Sequence, residues 1–68
     1  MIEIQINGDT RQLDEHHSTL AQLVEQLGLA PAALATAVNG DFVPRTLRAS
    51  CRLQPGDVVT TFQPITGG

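Results

Sequence analysis

Ile2, Ile4 and Ile6 alternate with Glu3 and Gln5 at the start of the chain, the period of two that buries one face of a β-strand. Asn7-Gly8 follows, and both residue types accept the positive φ of a two-residue hairpin turn. The chain is therefore predicted to return through Thr10 to Leu13 as a second strand. The period then changes. Leu20, Leu23, Val24 and Leu27 recur at intervals of three and four, Thr19 and Gln22 have the spacing of a capping box, and Gly28 is placed for a left-handed stop. These features predict one amphipathic helix with its apolar stripe against a sheet.

Pro31 to Leu34 predicts a short turn or helical crossover. Ala35 to Val38, Asn39-Gly40 and Asp41 to Val43 repeat the strand, turn, strand signature, although alanine is a weak strand former. Pro44 ends the pairing, and Thr46 to Arg52 reads as an irregular or single-turn link. Pro55-Gly56-Asp57 reads as a turn and Val58 to Phe62 as the last strand. The order β-β-α-β-β-β defines an α+β chain, a mixed sheet of about five strands on one helix. A single helix crossing from an N-terminal hairpin to a later strand matches the β-grasp (ubiquitin-like) arrangement, in which the first and last strands run parallel at the centre of the sheet. Whether Phe62 is core or surface depends on which parity of the last strand faces inward, and the pattern leaves both open.

At 68 residues the chain is expected to be one domain over 1–68, near the lower size at which a single core offsets conformational entropy. So short a chain has few walls for an enclosed substrate cleft, which favours a carrier, subunit or binding module over a self-contained enzyme. Net charge is −3, and Arg45, Arg48 and Arg52 beside an acidic first half do not make the dense basic face that a polyanion needs. The single cysteine, Cys51, forms no internal disulfide and no multi-cysteine zinc site, which fits a reducing compartment and an expected cytoplasmic location. Cys51 reads as a small, partly buried apolar residue. His16 and His17, neighbours in sequence, read as solvated loop residues, so no metal site is expected.

The chain ends on Gly67-Gly68 after an apolar stretch. Two residues without Cβ can extend through a channel too narrow for a larger side chain, so a flexible tail presenting the Gly68 carboxylate is suited to being gripped by another protein. The chain also has no lysine, since Arg11, Arg45, Arg48 and Arg52 account for all four basic residues. Chain-building on itself through lysine is thereby excluded.

Val38-Asn39-Gly40-Asp41-Phe42-Val43-Pro44-Arg45, Leu53 with Gly56-Asp57-Val58-Val59, and Phe62-Gln63-Pro64-Ile65-Thr66-Gly67-Gly68 together resemble the ThiS family, the bacterial sulfur carriers of thiamine biosynthesis. The resemblance spans essentially the whole chain. It implies a protein co-substrate rather than an enzyme: an E1-like adenylyltransferase of the ThiF or MoeB type adenylates Gly68 with ATP and magnesium. Sulfur from a cysteine desulfurase then gives a thiocarboxylate, and thiazole synthase (ThiG) accepts the sulfur. No cofactor is held by the carrier itself. By the same resemblance Ile65, Thr66 and Gly67 thread into the partner. Phe62 is a candidate anchor on the partner-facing side, and Arg45 and Arg48 are candidates for its polar rim beside the commoner reading as a solvated face. Many relatives have a tryptophan after Arg45 that is absent here, and Pro64 is similar to the tail of the molybdopterin synthase small subunit. That subunit, or a ubiquitin-like modifier, remains the alternative.

Overall fold

The N-terminal alternation becomes β1 (Ile2–Ile6) in the computed structural model, which describes residues 1–62 apart from the Pro31 side chain, with Ile4 and Ile6 buried and Glu3 and Gln5 exposed. Asn7 and Gly8 take φ of 51° and 89°, and β2 (Asp9–Leu13) returns antiparallel with Leu13 opposite Ile2. A single 3-10 turn at Glu15–His17, which the apolar pattern does not reveal, is capped by the Asp14 carboxylate accepting from the His16 N–H at 2.9 Å.

The helix α1 (Leu20–Gln26) starts with the expected capping box: Thr19 Oγ1 accepts from the Gln22 N–H at 3.2 Å, and Gln22 Oε1 accepts from the Thr19 N–H at 3.1 Å. It ends at Gly28, whose φ of 70° is the left-handed stop. Seven residues are too few for a stable isolated helix, so its stability comes from burying Leu20, Leu23 and Val24. Leu20 and Leu23 pack with Ile4, Ile6, Leu13 and Val59 of the sheet's inward face and with Leu53, each under a tenth exposed.

A 3-10 turn over Pro31–Ala33 leads into β3 (Ala35–Val38), and Asn39-Gly40, at φ of 52° and 85°, turns it into β4 (Asp41–Val43). The link that follows is more regular than its sequence implies, a six-residue 3-10 helix at Arg45–Ser50 packed against α1. Next to it, the Leu20 N–H donates to the Cys51 carbonyl and the Leu53 N–H to the Ser18 carbonyl, which fastens the start of α1 to the segment after the 3-10 helix. The Pro55-Gly56-Asp57 turn then delivers β5 (Val58–Phe62).

The sheet order is β2-β1-β5-β3-β4, with β1 and β5 parallel at the centre and the other neighbours antiparallel. Pairing of Ile6 with Val59 puts Val59 on the buried face at 0% exposure and turns Phe62 outward at 56%. The parity that the sequence left open is thus decided by a long-range register.

Candidate functional site

The site is built around the end of β5, because residues 63–68 continue from it. Ile65, Thr66, Gly67 and Gly68, the tail residues expected to thread and react, lie outside the described residues. What the structure gives is the body that carries them.

Both hairpin turns reach across to β5. Asn7 lies in the β1–β2 turn; its Oδ1 accepts from the Thr61 N–H at 2.9 Å and its Nδ2 donates to Thr61 Oγ1 at 2.9 Å. Asn39 lies in the β3–β4 turn; its Oδ1 accepts from the Val58 N–H at 2.9 Å and its Nδ2 donates to Asp57 Oδ1 at 3.0 Å. Asparagine suits both places because it tolerates the left-handed conformation and carries a side-chain amide. Sequence reasoning assigned these residues only to turns. The Asn-Gly pairs signal the turn but not the reach of the side chain.

The outer face of the sheet, opposite α1, carries a small apolar patch. Ala37 stands opposite both Phe42 and Thr60, and Ala35 stands opposite Phe62, so the two phenylalanines flank a floor of β3 alanines. Phe42 is 67% exposed and Phe62 56%. The two exposed rings and the alanines between them form one apolar face beside the end of β5. Phe42 was missed in the sequence, where the alternation around a three-residue strand is too short to read. Its neighbours become visible only through the β3 register.

The two arginines do not join this patch. Arg48 lies inside the fold at 4% exposure: its Nη2 donates to the Leu34 carbonyl at 2.6 Å and its Nε to Thr36 Oγ1 at 3.1 Å, while Thr36 Oγ1 donates to the Val43 carbonyl at 3.0 Å. The expectation of a rim role for Arg48 is therefore corrected. The 3-10 geometry of Arg45–Ser50 turns residue 48 inward, where it ties the entry to β3 and, through Thr36, the end of β4. Arg45 is exposed, but it borders an open cleft of about 500 Å³ between α1 and the 3-10 helix, with Ala21, Val24, Leu29 and Ala49 on its walls. It is thus on the helix side of the sheet, away from Phe62.

Cys51 is half-buried and free, and it packs against the core. Burial, then the nearby Asp57 carboxylate, push its thiol above the ordinary value, the opposite of what a reactive thiolate needs. His16 and His17 are exposed, and among the described residues no three His, Cys, Asp or Glu side chains are grouped to hold a metal. No helix among the described residues is long and apolar enough to cross a membrane.

A five-stranded mixed sheet clasping one helix, with its last strand beside the first at the centre and a glycine-ended sequence after it, defines the class of small β-grasp proteins. The model of the ThiS family matches residues 4–68, and the chain belongs to that family. It is 42% identical over 50 residues to the sulfur carrier protein ThiS of Escherichia coli, covering 74% of this chain and 76% of that one. The fold is also that of the thiamine biosynthesis protein ThiS from Geobacter metallireducens. Its crystal structure superposes with a TM-score of 0.80 at 22% identity, covering 98% of this chain and all of the other. A solution structure of a thiamine biosynthesis protein from the same organism gives 0.77 at 23% identity, covering 98% and 88%.

Proposed function

We propose that this protein carries sulfur for thiazole formation in thiamine biosynthesis, as a co-substrate whose working atom is on Gly68. The observation that carries the reading is family membership that extends through the Gly67-Gly68 ending. A carboxylate is a poor acyl donor, so an E1-like adenylyltransferase joins it to AMP with loss of pyrophosphate from ATP, using magnesium. The outer sulfur of a persulfide formed on the cysteine desulfurase attacks the acyl carbon and displaces AMP, and a thiol reductant then cleaves the resulting acyl disulfide, ending as a disulfide itself and leaving the sulfur on the acyl group. One carboxylate oxygen is thereby replaced by sulfur, and the thiocarboxylate sulfur is the nucleophile offered to thiazole synthase.

The described body supports this role through what it contains. Its central strand is hydrogen-bonded on both edges, and the exposed Phe62, just ahead of the tail, stands with Phe42 on a face that an activating enzyme can cover. Catalysis belongs to the partners, which supply the preorganised charge stabilisation that a tail by itself does not.

The test is the intact mass of the protein after incubation with the activating enzyme, ATP, magnesium, cysteine desulfurase, cysteine and a thiol reductant. The expected product is heavier by the difference between sulfur and oxygen, and deletion of Gly68 abolishes the change without unfolding the body. An unchanged mass, with both enzymes active on their own carrier, would sink the reading. Sulfur transfer to the large subunit of molybdopterin synthase in place of thiazole synthase would keep the carrier chemistry and change the pathway.

A further inference from the structure

We propose that Asn7 is a positioning residue for the terminal carboxylate, acting through Thr61 to fix where and in what direction the tail leaves the body. This inference rests on the carrier reading. Its starting point is where the parallel β1–β5 ladder stops. The last register pair is Ile6 with Val59, and the Asn7 N–H donates to the Val59 carbonyl at 3.0 Å. The next rung of a parallel ladder would have the Thr61 N–H donate to a carbonyl of β1. At that point β1 has ended, because Asn7, at φ of 51°, turns the main chain toward β2.

The side-chain amide of Asn7 takes the place of the missing peptide group. Its Oδ1 accepts from the Thr61 N–H and its Nδ2 donates to Thr61 Oγ1, both at 2.9 Å. It lengthens β1 by one rung without lengthening its backbone. On the other edge β3 keeps pace, with Thr36 opposite Thr61 and Ala35 opposite Phe62. Thr61 is thus held from both sides immediately before the chain passes into residues 63–68.

A turn alone does not require this side chain. Glycine accepts the same φ more readily but offers no amide, and aspartate tolerates it and keeps the acceptor but has no donor. Only asparagine combines the left-handed conformation with both halves of the clasp. The clasp matters because it fixes the point and direction from which residues 63–68 start, and reacting groups tolerate misplacement of only about 0.5 Å. A partner that docks the body and grips the tail must absorb any mismatch between the two.

The experiment measures carrier-dependent ATP–pyrophosphate exchange by the activating enzyme, with wild-type protein and the variants Asn7→Gly, Asn7→Asp and Thr61→Val. Amide hydrogen exchange is followed on the same samples. Asn7→Gly is expected to lower kcat about tenfold while KM for the carrier stays within about twofold, since the outer face that docks is untouched and only alignment is lost. Asn7→Asp, which retains the acceptor, is expected to fall between Asn7→Gly and wild type, and Thr61→Val to lose a fewfold through its missing hydroxyl. Exchange protection is expected to fall at Thr61 and to hold along the rest of the sheet.

Wild-type kcat and KM in Asn7→Gly would overturn the clasp while leaving the carrier reading standing. So would a loss of kcat that merely tracked a loss of protection across the whole sheet, which marks a destabilised fold. Failure of wild-type protein to support exchange, with an enzyme active on its own carrier, would overturn the carrier reading and this proposal with it.

Discussion

Replacing Arg48 with methionine measures whether an arginine sealed inside so small a domain holds it together. Methionine keeps the length and most of the apolar stem, so the change removes the guanidinium with little loss of volume. At least two hydrogen bonds go with it, to the Leu34 carbonyl and to Thr36 Oγ1. A hydrogen bond from a charged donor contributes about 1.5–3 kcal/mol, and a buried carbonyl left without its donor costs about 1–3 kcal/mol. Against this, the variant no longer holds a charge out of water, a relief that can reach several kcal/mol per ion. Thr36 Oγ1 keeps its bond to the Val43 carbonyl, whereas the Leu34 carbonyl loses its Arg48 donor. The net expectation is a destabilisation of about 1–3 kcal/mol. A chain of 68 residues has roughly 3–10 kcal/mol in all, so the effect is large. It is read as a fall of about 4–8 °C in thermal midpoint for each kcal/mol. The exposed Arg45→Met is the control, with a change within about 0.5 kcal/mol. If Arg48→Met matched or exceeded wild type in thermal and urea unfolding, desolvation would outweigh the bonds, and the structural role argued for this residue would be wrong.

Three further outcomes follow from the geometry. Phe62→Ser is expected to raise KM for the carrier in the activating enzyme's exchange reaction about tenfold or more with little change in thermal midpoint; an unchanged KM would remove Phe62 from the contact surface. Cys51, its thiol raised by burial and by Asp57, should be alkylated by iodoacetamide at mildly alkaline pH severalfold more slowly than cysteine in an unfolded peptide, and an equal rate would contradict its surroundings. The bond from the His16 N–H holds the Asp14 carboxyl below its ordinary 3.8, so the folded protein takes up that proton less readily than the unfolded chain. The resulting stabilisation is present above that ordinary value and is lost as pH falls through the folded one. Melts of Asp14→Asn from about pH 6 to pH 3 should accordingly show a shallower acid limb than wild type.

Most of the fold was legible because its signals are local. The isoleucine alternation, the two Asn-Gly turns, the capping box and Gly28 each act over a few residues, and each lies where its pattern places it. What was not legible depends on contacts between distant segments. Phe62 faces outward because Val59 pairs with Ile6, some fifty positions away, and nothing within Val58–Phe62 records that register. Arg48 and Arg45 are indistinguishable in sequence. They part only because a 3-10 helix packed on α1 turns one inward and leaves the other exposed. The strand over Ala35–Val38 contains two alanines against its intrinsic preference. It is held by neighbours on both edges, and its small side chains leave room between Phe42 and Phe62.

The parallel placement of β1 beside β5 has a mechanical meaning as well. Any enzyme that pulls on the chain beyond Phe62 puts β5 under tension along its own axis, while its hydrogen bonds to β1 and β3 run crosswise to that pull. The rungs are then strained together in shear instead of being opened one after another from an end. A body built this way resists a pull on its last strand as one unit, and release of the pull leaves it intact.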